Sequence, residues 1–182
     1  MKEKIINKIF TLAKSKSNAR ILLTPIIGVL FAFMTALYII VPLWLDKTFK
    51  IPEPGTGLVN YLLSVPLFIL GFGLMVWTNI CFMKIKGTPV HINPPPKLVT
   101  NGPFAYVRNP MHAGLFLLML SFGIYFGSLL SVFIFTPLYI IIDVWFIRNI
   151  EEPELEKRLG SEYTKYKMHT PMFLPWKKKI IL

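Results

Sequence analysis

The chain has 182 residues, 54% of them hydrophobic and 16% charged, and a net charge of +11. Soluble domains carry about 25% charged residues, and one this small could not bury so much apolar surface, so a water-soluble single domain is excluded. The placement of the positive charge argues against nucleic acid, because it flanks apolar runs and forms no aromatic-studded basic patch on which bases could stack.

In chain order, residues 1–20 come first. Ile5, Ile6, Ile9, Phe10 and Ala13 fall at helical spacing among Lys2, Lys4, Lys8, Lys14, Lys16 and Arg20. This reads either as an interfacial helix or as a frayed basic tail. Two uncharged runs follow, Ile21–Leu45 with 25 residues and Pro54–Met83 with 30. A bilayer core needs about 20 residues of helix, so each fits one span. The first run is too long for a signal peptide and lacks a small-x-small cleavage site. Gly71-Phe72-Gly73 in the second run reads as a helix-packing site.

From Lys84 to Pro110 the chain cannot be helical throughout. Gly87-Thr88-Pro89 and Asn93-Pro94-Pro95-Pro96 force turning, extended backbone. A third uncharged run, Asn109–Ile142, has 34 residues. It is too long for one span and barely long enough for two, so it predicts a tight helical hairpin turning near Gly123–Ser128. The second arm must then continue past Asp143 toward Arg148. Glu151–Met168 reads as an amphipathic helix with Leu155, Leu159, Tyr163 and Tyr166 on one face, ended by Pro171 and Pro175. Trp176 and Lys177, Lys178 and Lys179 suit a membrane interface, where basic residues attract anionic headgroups.

The fold class is therefore all-α: a polytopic membrane protein with about four transmembrane helices, a C-terminal hairpin, a cytosolic loop and a C-terminal amphipathic helix. We read residues 1–182 as one domain, with a basic segment (1–20), two N-terminal spans (21–83) and a functional region (84–176). The positive-inside bias places both termini in the cytoplasm. Cys81, the single cysteine, excludes an internal disulfide.

Few residues here can carry chemistry. Arg108 sits where the loop meets the third apolar run. It is either a snorkelling anchor or a fork for a carboxylate. His112 is a polar ring in the first turn of an apolar helix, suited to a capping contact or a ligand hydrogen bond. His91 and His169 show no metal-ligand spacing with it. Glu151 and Glu152 open an acidic cluster that suits a helix start. Arg148 and Glu152 lie at i, i+4 and could pair. Asp143, Ile147 and Glu151 share a helical face. Asp143 lies in the last membrane turns, where an ionised side chain is costly, so it should face protein or a wet cavity.

The segment Gly102-Pro103-Phe104-Ala105-Tyr106-Val107-Arg108-Asn109-Pro110-Met111-His112-Ala113-Gly114 resembles the signature G-P-[YF]-x-x-[VI]-R-[HN]-P-M-Y-x-G of isoprenylcysteine carboxyl methyltransferases. Arg148–Gly160 with Tyr163 and Tyr166 resembles that family's R-x-x-x-E-E-x-x-L…F-G-x-x-Y-x-x-Y segment. Phosphatidylethanolamine N-methyltransferases share the N-P-M-Y and E-E-P elements. The main departure is His112, where tyrosine is usual.

The resemblance implies an enzyme that binds S-adenosylmethionine on the cytosolic side and methylates an amphiphilic acceptor, either a carboxylate or a phospholipid amine. It implies cofactor contacts at Leu98, Arg108, Asn109, Pro110, His112, Gly114, Glu151 and Glu152. Arg108 and Glu152 are the expected catalytic pair, with Glu151 or Glu152 receiving the cofactor's ammonium and Arg108 a carboxylate. Two other readings stay open. One is a nicotinamide-dependent membrane reductase of related architecture, although no dinucleotide signature is present. The other is a non-catalytic membrane binding protein.

Overall fold

A computed structural model describes residues 2–14, 18–52, 57–85, 88, 95 and 97–175, the side chains of 12–14 and 18–22 excepted. His91, most of the Pro-rich loop, Trp176 and the three terminal lysines lie outside the described residues. The helices are α1 (Lys2–Lys14), α2 (Asn18–Thr48), α3 (Leu58–Lys84), α4 (Pro110–Tyr125), α5 (Thr136–Phe146), α6 (Glu152–Leu159) and α7 (Ser161–His169). A 3-10 turn, Gly102–Ala105, precedes α4.

Leu23–Thr48, Leu58–Lys84 and Ser131–Leu159 are each long and apolar enough to cross a bilayer. The fourth apolar helix, α4, has 16 residues and so rises about 24 Å. Val29, Phe33, Met34, Ile69, Phe133 and Ile141 are all more than half exposed. In water such helices would aggregate. In a bilayer, lipid covers them and the helix satisfies its own backbone. The chain is all-helical and polytopic.

The expected hairpin forms, and its chemistry is local. α4 ends at Tyr125, and Gly127 takes φ +65° in the turn, a conformation that costs glycine little. Ser128 Oγ then accepts the backbone N–H of Ser131 at 3.0 Å, as a helix-capping serine does. The second arm is helical from Ser131 to Leu159. It contains two π turns, Ser131–Phe135 and Ile147–Glu151. The second of these leads directly into Glu152, and such turns concentrate at functional sites.

The chain divides into two compact units, one of residues 1–29, 76–110 and 144–182, the other of residues 30–75 and 111–143. The second unit is the apolar one. Met119 and Leu115 are buried in it. Tyr38 meets Phe135 and Tyr139 edge to face, and Ser121 Oγ donates to the Ser64 carbonyl at 2.9 Å. Gly71 and Gly114 pack together so closely that a Cβ on Gly71 would sit 2.7 Å from the Gly114 carbonyl oxygen. The glycine pair in the second span is thus a packing site at Gly71, whereas a Cβ at Gly73 would meet nothing within 4 Å. Asp46, buried at the end of α2, accepts the Ser128 hydroxyl and, at 3.4 Å, the Leu130 N–H. Asp46→Ala leaves both donors without their acceptor and should lower stability by about 1–3 kcal/mol, read as an earlier thermal midpoint in detergent.

The first unit carries most of the polar chemistry. Cys81, Val99 and Phe104 form its core, with Phe82 and Ile85 packed against them. Gly102 has φ +59°, and a Cβ there would sit 2.7 Å from Cys81 Sγ, so only glycine fits that turn. The basic N-terminal segment forms helix α1. Lys2 Nζ donates to Asn149 Oδ1 at 2.7 Å, and Lys157 Nζ donates to Asn7 Oδ1 at 2.6 Å. The Lys157 ammonium also lies 4.8 Å from the Phe10 ring centre.

The expected single amphipathic helix over Glu151–Met168 is instead two. Gly160 breaks it with φ +63°, and α7 starts afresh at Ser161. Folding the chain back there buries Tyr163 and Tyr166 and brings Lys167 to 3.0 Å from Glu156.

Candidate functional site

The site in the first unit begins with Arg108. A guanidinium has five N–H donors in a rigid fork. Here Nε and Nη2 donate to Glu152 Oε1, at 3.2 and 2.7 Å, and Nη1 donates to the carbonyls of Lys167 and Thr170, at 3.1 and 2.5 Å. Four of the five donors therefore have acceptors among the described residues, and the second N–H of Nη2 has none there. The backbone beside it is held as well. The Arg108 and Asn109 N–H groups donate to the Pro171 and Met172 carbonyls at 2.8 and 3.1 Å.

Glu152 is 3% exposed, and its other oxygen lies 2.7 Å from Lys167 Nζ. The pair expected between Arg148 and Glu152 does not form, because Arg108 and Lys167 occupy both carboxylate oxygens. Arg148 is exposed and lines an open groove with Arg108, Glu152 and Lys167. Burial alone would lower the pKa of Lys167. Its hydrogen bonds to Glu152 and Glu156, and their charges, outweigh this and raise it above the ordinary lysine value. The contribution of Lys167 to folding is therefore complete at neutral pH and is lost only as pH climbs through the raised value.

Tyr163 and Tyr166 complete the scaffold. Burial holds both phenols well above the usual tyrosine range, with Glu152 adding to the effect at Tyr163 and Arg108 opposing it at both. They remain protonated donors at neutral pH. Tyr166 uses its hydroxyl on the Phe104 carbonyl at 2.7 Å.

Beside this frame lies a cleft lined by Leu98, Val99, Phe104, Arg108, Asn109, Glu151, Leu155, Leu159, Tyr163 and Tyr166, among others. Arg158 also lines it; its Nε lies 2.9 Å from Glu154 and its Nη1 donates to the Pro95 carbonyl at 3.1 Å. Asn109 Nδ2 is buried with no described hydrogen-bond partner. The cleft therefore offers an amide donor, one guanidinium N–H, a carboxylate and an aromatic and aliphatic wall. A zwitterion attached to an apolar ring system matches that set.

Of the residues expected to bind a cofactor, Leu98, Arg108, Asn109 and Glu151 line this cleft. Glu152 stands behind Arg108, and Pro110 is buried at the first position of α4. There its fixed φ suits the helix start and its missing N–H costs nothing. His112 and Gly114 belong to the second unit. His112 Nδ1 lies 2.8 Å from Asp143 Oδ2, and Gly114 packs on Gly71 and Met75.

Sequence reasoning missed Lys167 and the Glu154–Arg158 pair. The signal for Lys167 was Gly160, since a glycine within a helical pattern marks the fold-back that returns Lys167 to Glu152. Glu154 and Arg158 lie at i, i+4, the same spacing that drew attention to Arg148 and Glu152.

No curated protein and no solved structure gives a match to the chain. A family model described as phospholipid methyltransferase matches residues 59–162, a stretch that includes the Arg108 segment and the two glutamates. With that match over more than half of its length, this multi-pass membrane chain belongs to the phospholipid methyltransferase family.

Proposed function

We propose that the protein transfers a methyl group from S-adenosylmethionine to a lipid-like acceptor, with the cofactor held in the cleft of the first unit and both termini in the cytoplasm. The observation that carries this reading is the donor set of that cleft: a buried Asn109 amide with no described acceptor, the fifth N–H of Arg108, and Glu151 on the same wall. When bound, S-adenosylmethionine supplies a methyl carbon activated by a sulfonium. Glu151 receives its ammonium. Asn109 and the remaining Arg108 N–H face its carboxylate, and Phe104, Leu155, Leu159 and Tyr163 cover its apolar parts. Glu152 is a positioning residue that holds the guanidinium in place. Transfer from a sulfonium needs alignment and exclusion of water more than a metal or a covalent nucleophile.

Calorimetric titration with S-adenosylmethionine tests the assignment. Glu151→Gln and Asn109→Ala should each weaken binding about 10–100-fold, since a hydrogen bond to a charged group is worth about 1.5–3 kcal/mol. Transfer of label from the cofactor into a lipid extract should fall with them. Wild-type affinity in both variants would remove the cofactor from this cleft.

A further inference from the structure

Helix α6 brings a second buried ion pair to the cleft wall, and nothing said so far uses it. Glu154 is 4% exposed, and the Arg158 side chain 9%. Both line the cleft. A buried ion pair adds little net stability, because desolvation offsets the attraction and apolar side chains of similar size would pack as well. After its bond from Arg158 Nε, Glu154 Oε1 is occupied, and Oε2 has no described partner. One carboxylate oxygen carries two lone pairs, room for two neighbouring O–H donors. The Arg158 charge already balances that of Glu154, so the pair has little to offer a further cation. A neutral hydroxyl still gains a charge-assisted hydrogen bond there.

The pair also lies at a useful distance from the groups assigned to the amino-acid end of the cofactor. Glu151, Glu154, Leu155, Arg158 and Leu159 line the cleft from one continuous helical stretch. Along its axis Glu154 is about 4–5 Å beyond Glu151, and Arg158 about 10 Å beyond it. A ligand whose charged end meets Glu151 therefore carries its next polar group past Glu154. We infer that Glu154 is the acceptor for the vicinal ribose hydroxyls of S-adenosylmethionine, and that Arg158 is a positioning residue that holds the carboxylate toward them. This rests on the proposed cofactor site and deepens it. In the E-E-x-x-L segment of the resemblance, Glu154 falls at an unspecified position, so the resemblance assigns it no role. Arg158 reaches the Pro95 carbonyl with a second nitrogen, which anchors the guanidinium from the side opposite its bond to Glu154 Oε1. The hydroxyls meet Glu154, while Phe82, Phe104 and Leu159 supply apolar surface for the base.

The experiment is a cycle between residue and hydroxyl, read by calorimetry on the full-length protein in detergent. The ligands are S-adenosylhomocysteine and its 2′-deoxy and 3′-deoxy analogues. Wild type should bind the deoxy analogues about 10–100-fold more weakly than the parent, the usual effect of losing a hydrogen bond to a charged group. Glu154→Met should weaken the parent by a similar factor and bind all three ligands within about 3-fold of one another, because the coupled partner is already gone. Should Glu154→Met fail to fold with Arg158 left unpaired, the double variant Glu154→Met/Arg158→Met buries no lone charge and should show the same loss of discrimination. Arg158→Gln should reduce the discrimination, and Arg158→Lys should recover part of it. Glu151→Gln is the contrasting variant: it should weaken the parent and the deoxy analogues alike and leave their ratio as in wild type. Equal binding of parent and deoxy analogues by wild type, or full discrimination retained in Glu154→Met, overturns the inference and leaves the cofactor reading standing. If wild type binds neither S-adenosylhomocysteine nor S-adenosylmethionine, that reading falls and takes this one with it.

Discussion

Arg108→Ala is expected to abolish activity and to lower the free energy of unfolding by about 3–5 kcal/mol, the usual cost of removing one partner from a buried ion pair. The magnitude follows from what the guanidinium holds. Glu152 is 3% exposed, so a carboxylate that loses Arg108 cannot turn to water. Lys167 stays 2.7 Å from its other oxygen and compensates only in part. The carbonyls of Lys167 and Thr170 lose their donor at the same time. Arg108→Lys should rescue little, because a single ammonium cannot serve two directions of a planar fork. Glu152→Gln keeps the shape but not the charge, and should fall between wild type and Arg108→Ala. Thermal melts in detergent, with and without S-adenosylmethionine, would rank the three. A melting point for Arg108→Ala within about 2 °C of wild type would show that the pair contributes nothing to the fold.

The second large effect is steric. Gly114→Val should destabilise the second unit by about 1–3 kcal/mol or more. A Cβ at this position would lie 2.7 Å from the Gly71 carbonyl oxygen and 2.8 Å from Met75 Cγ. The methionine can move, but the helix backbone at Gly71 cannot move without separating two helices. Gly71→Val should cost a similar amount. The double variant should cost less than the sum, because the helices separate only once. Gly73→Val is the control: a Cβ there meets nothing within 4 Å, and the protein should melt as wild type does. Equal loss at Gly73 and Gly71 would mean that helix flexibility, not contact, sets the effect.

These cases also show what could be read from the chain before any coordinates. The spans were legible because uncharged runs of this length have one stable environment, and the hairpin because 34 uncharged residues fit two arms and a glycine-bearing turn. Arg108 and the glutamate pair were visible as charges at the ends of such runs. The partner of Glu152 was not. Helical spacing proposed Arg148, four residues away, yet the fork came from residue 108 and the second cation from residue 167. Local periodicity carries no information about contacts made across a chain reversal; Gly160 signals that the helix breaks, but not which residues the reversal brings together. Gly114 shows the opposite limit. A motif position drew attention to it as a ligand contact, while the backbone uses it to let two helices touch. The pairing of His112 with Asp143 spans 31 positions and could not be inferred from either residue alone.

The hydrogen bonds from Arg108 to the Lys167 and Thr170 carbonyls fix an order of events during synthesis. Arg108 leaves the ribosome's catalytic centre 62 residues before Thr170 does. At ~5–20 residues per second that is an interval of roughly 3–12 s. Throughout it the guanidinium lacks those acceptors, and the Asn109 N–H lacks Met172. The apolar spans can settle first, while the polar frame around Arg108 waits for the last stretch of translation.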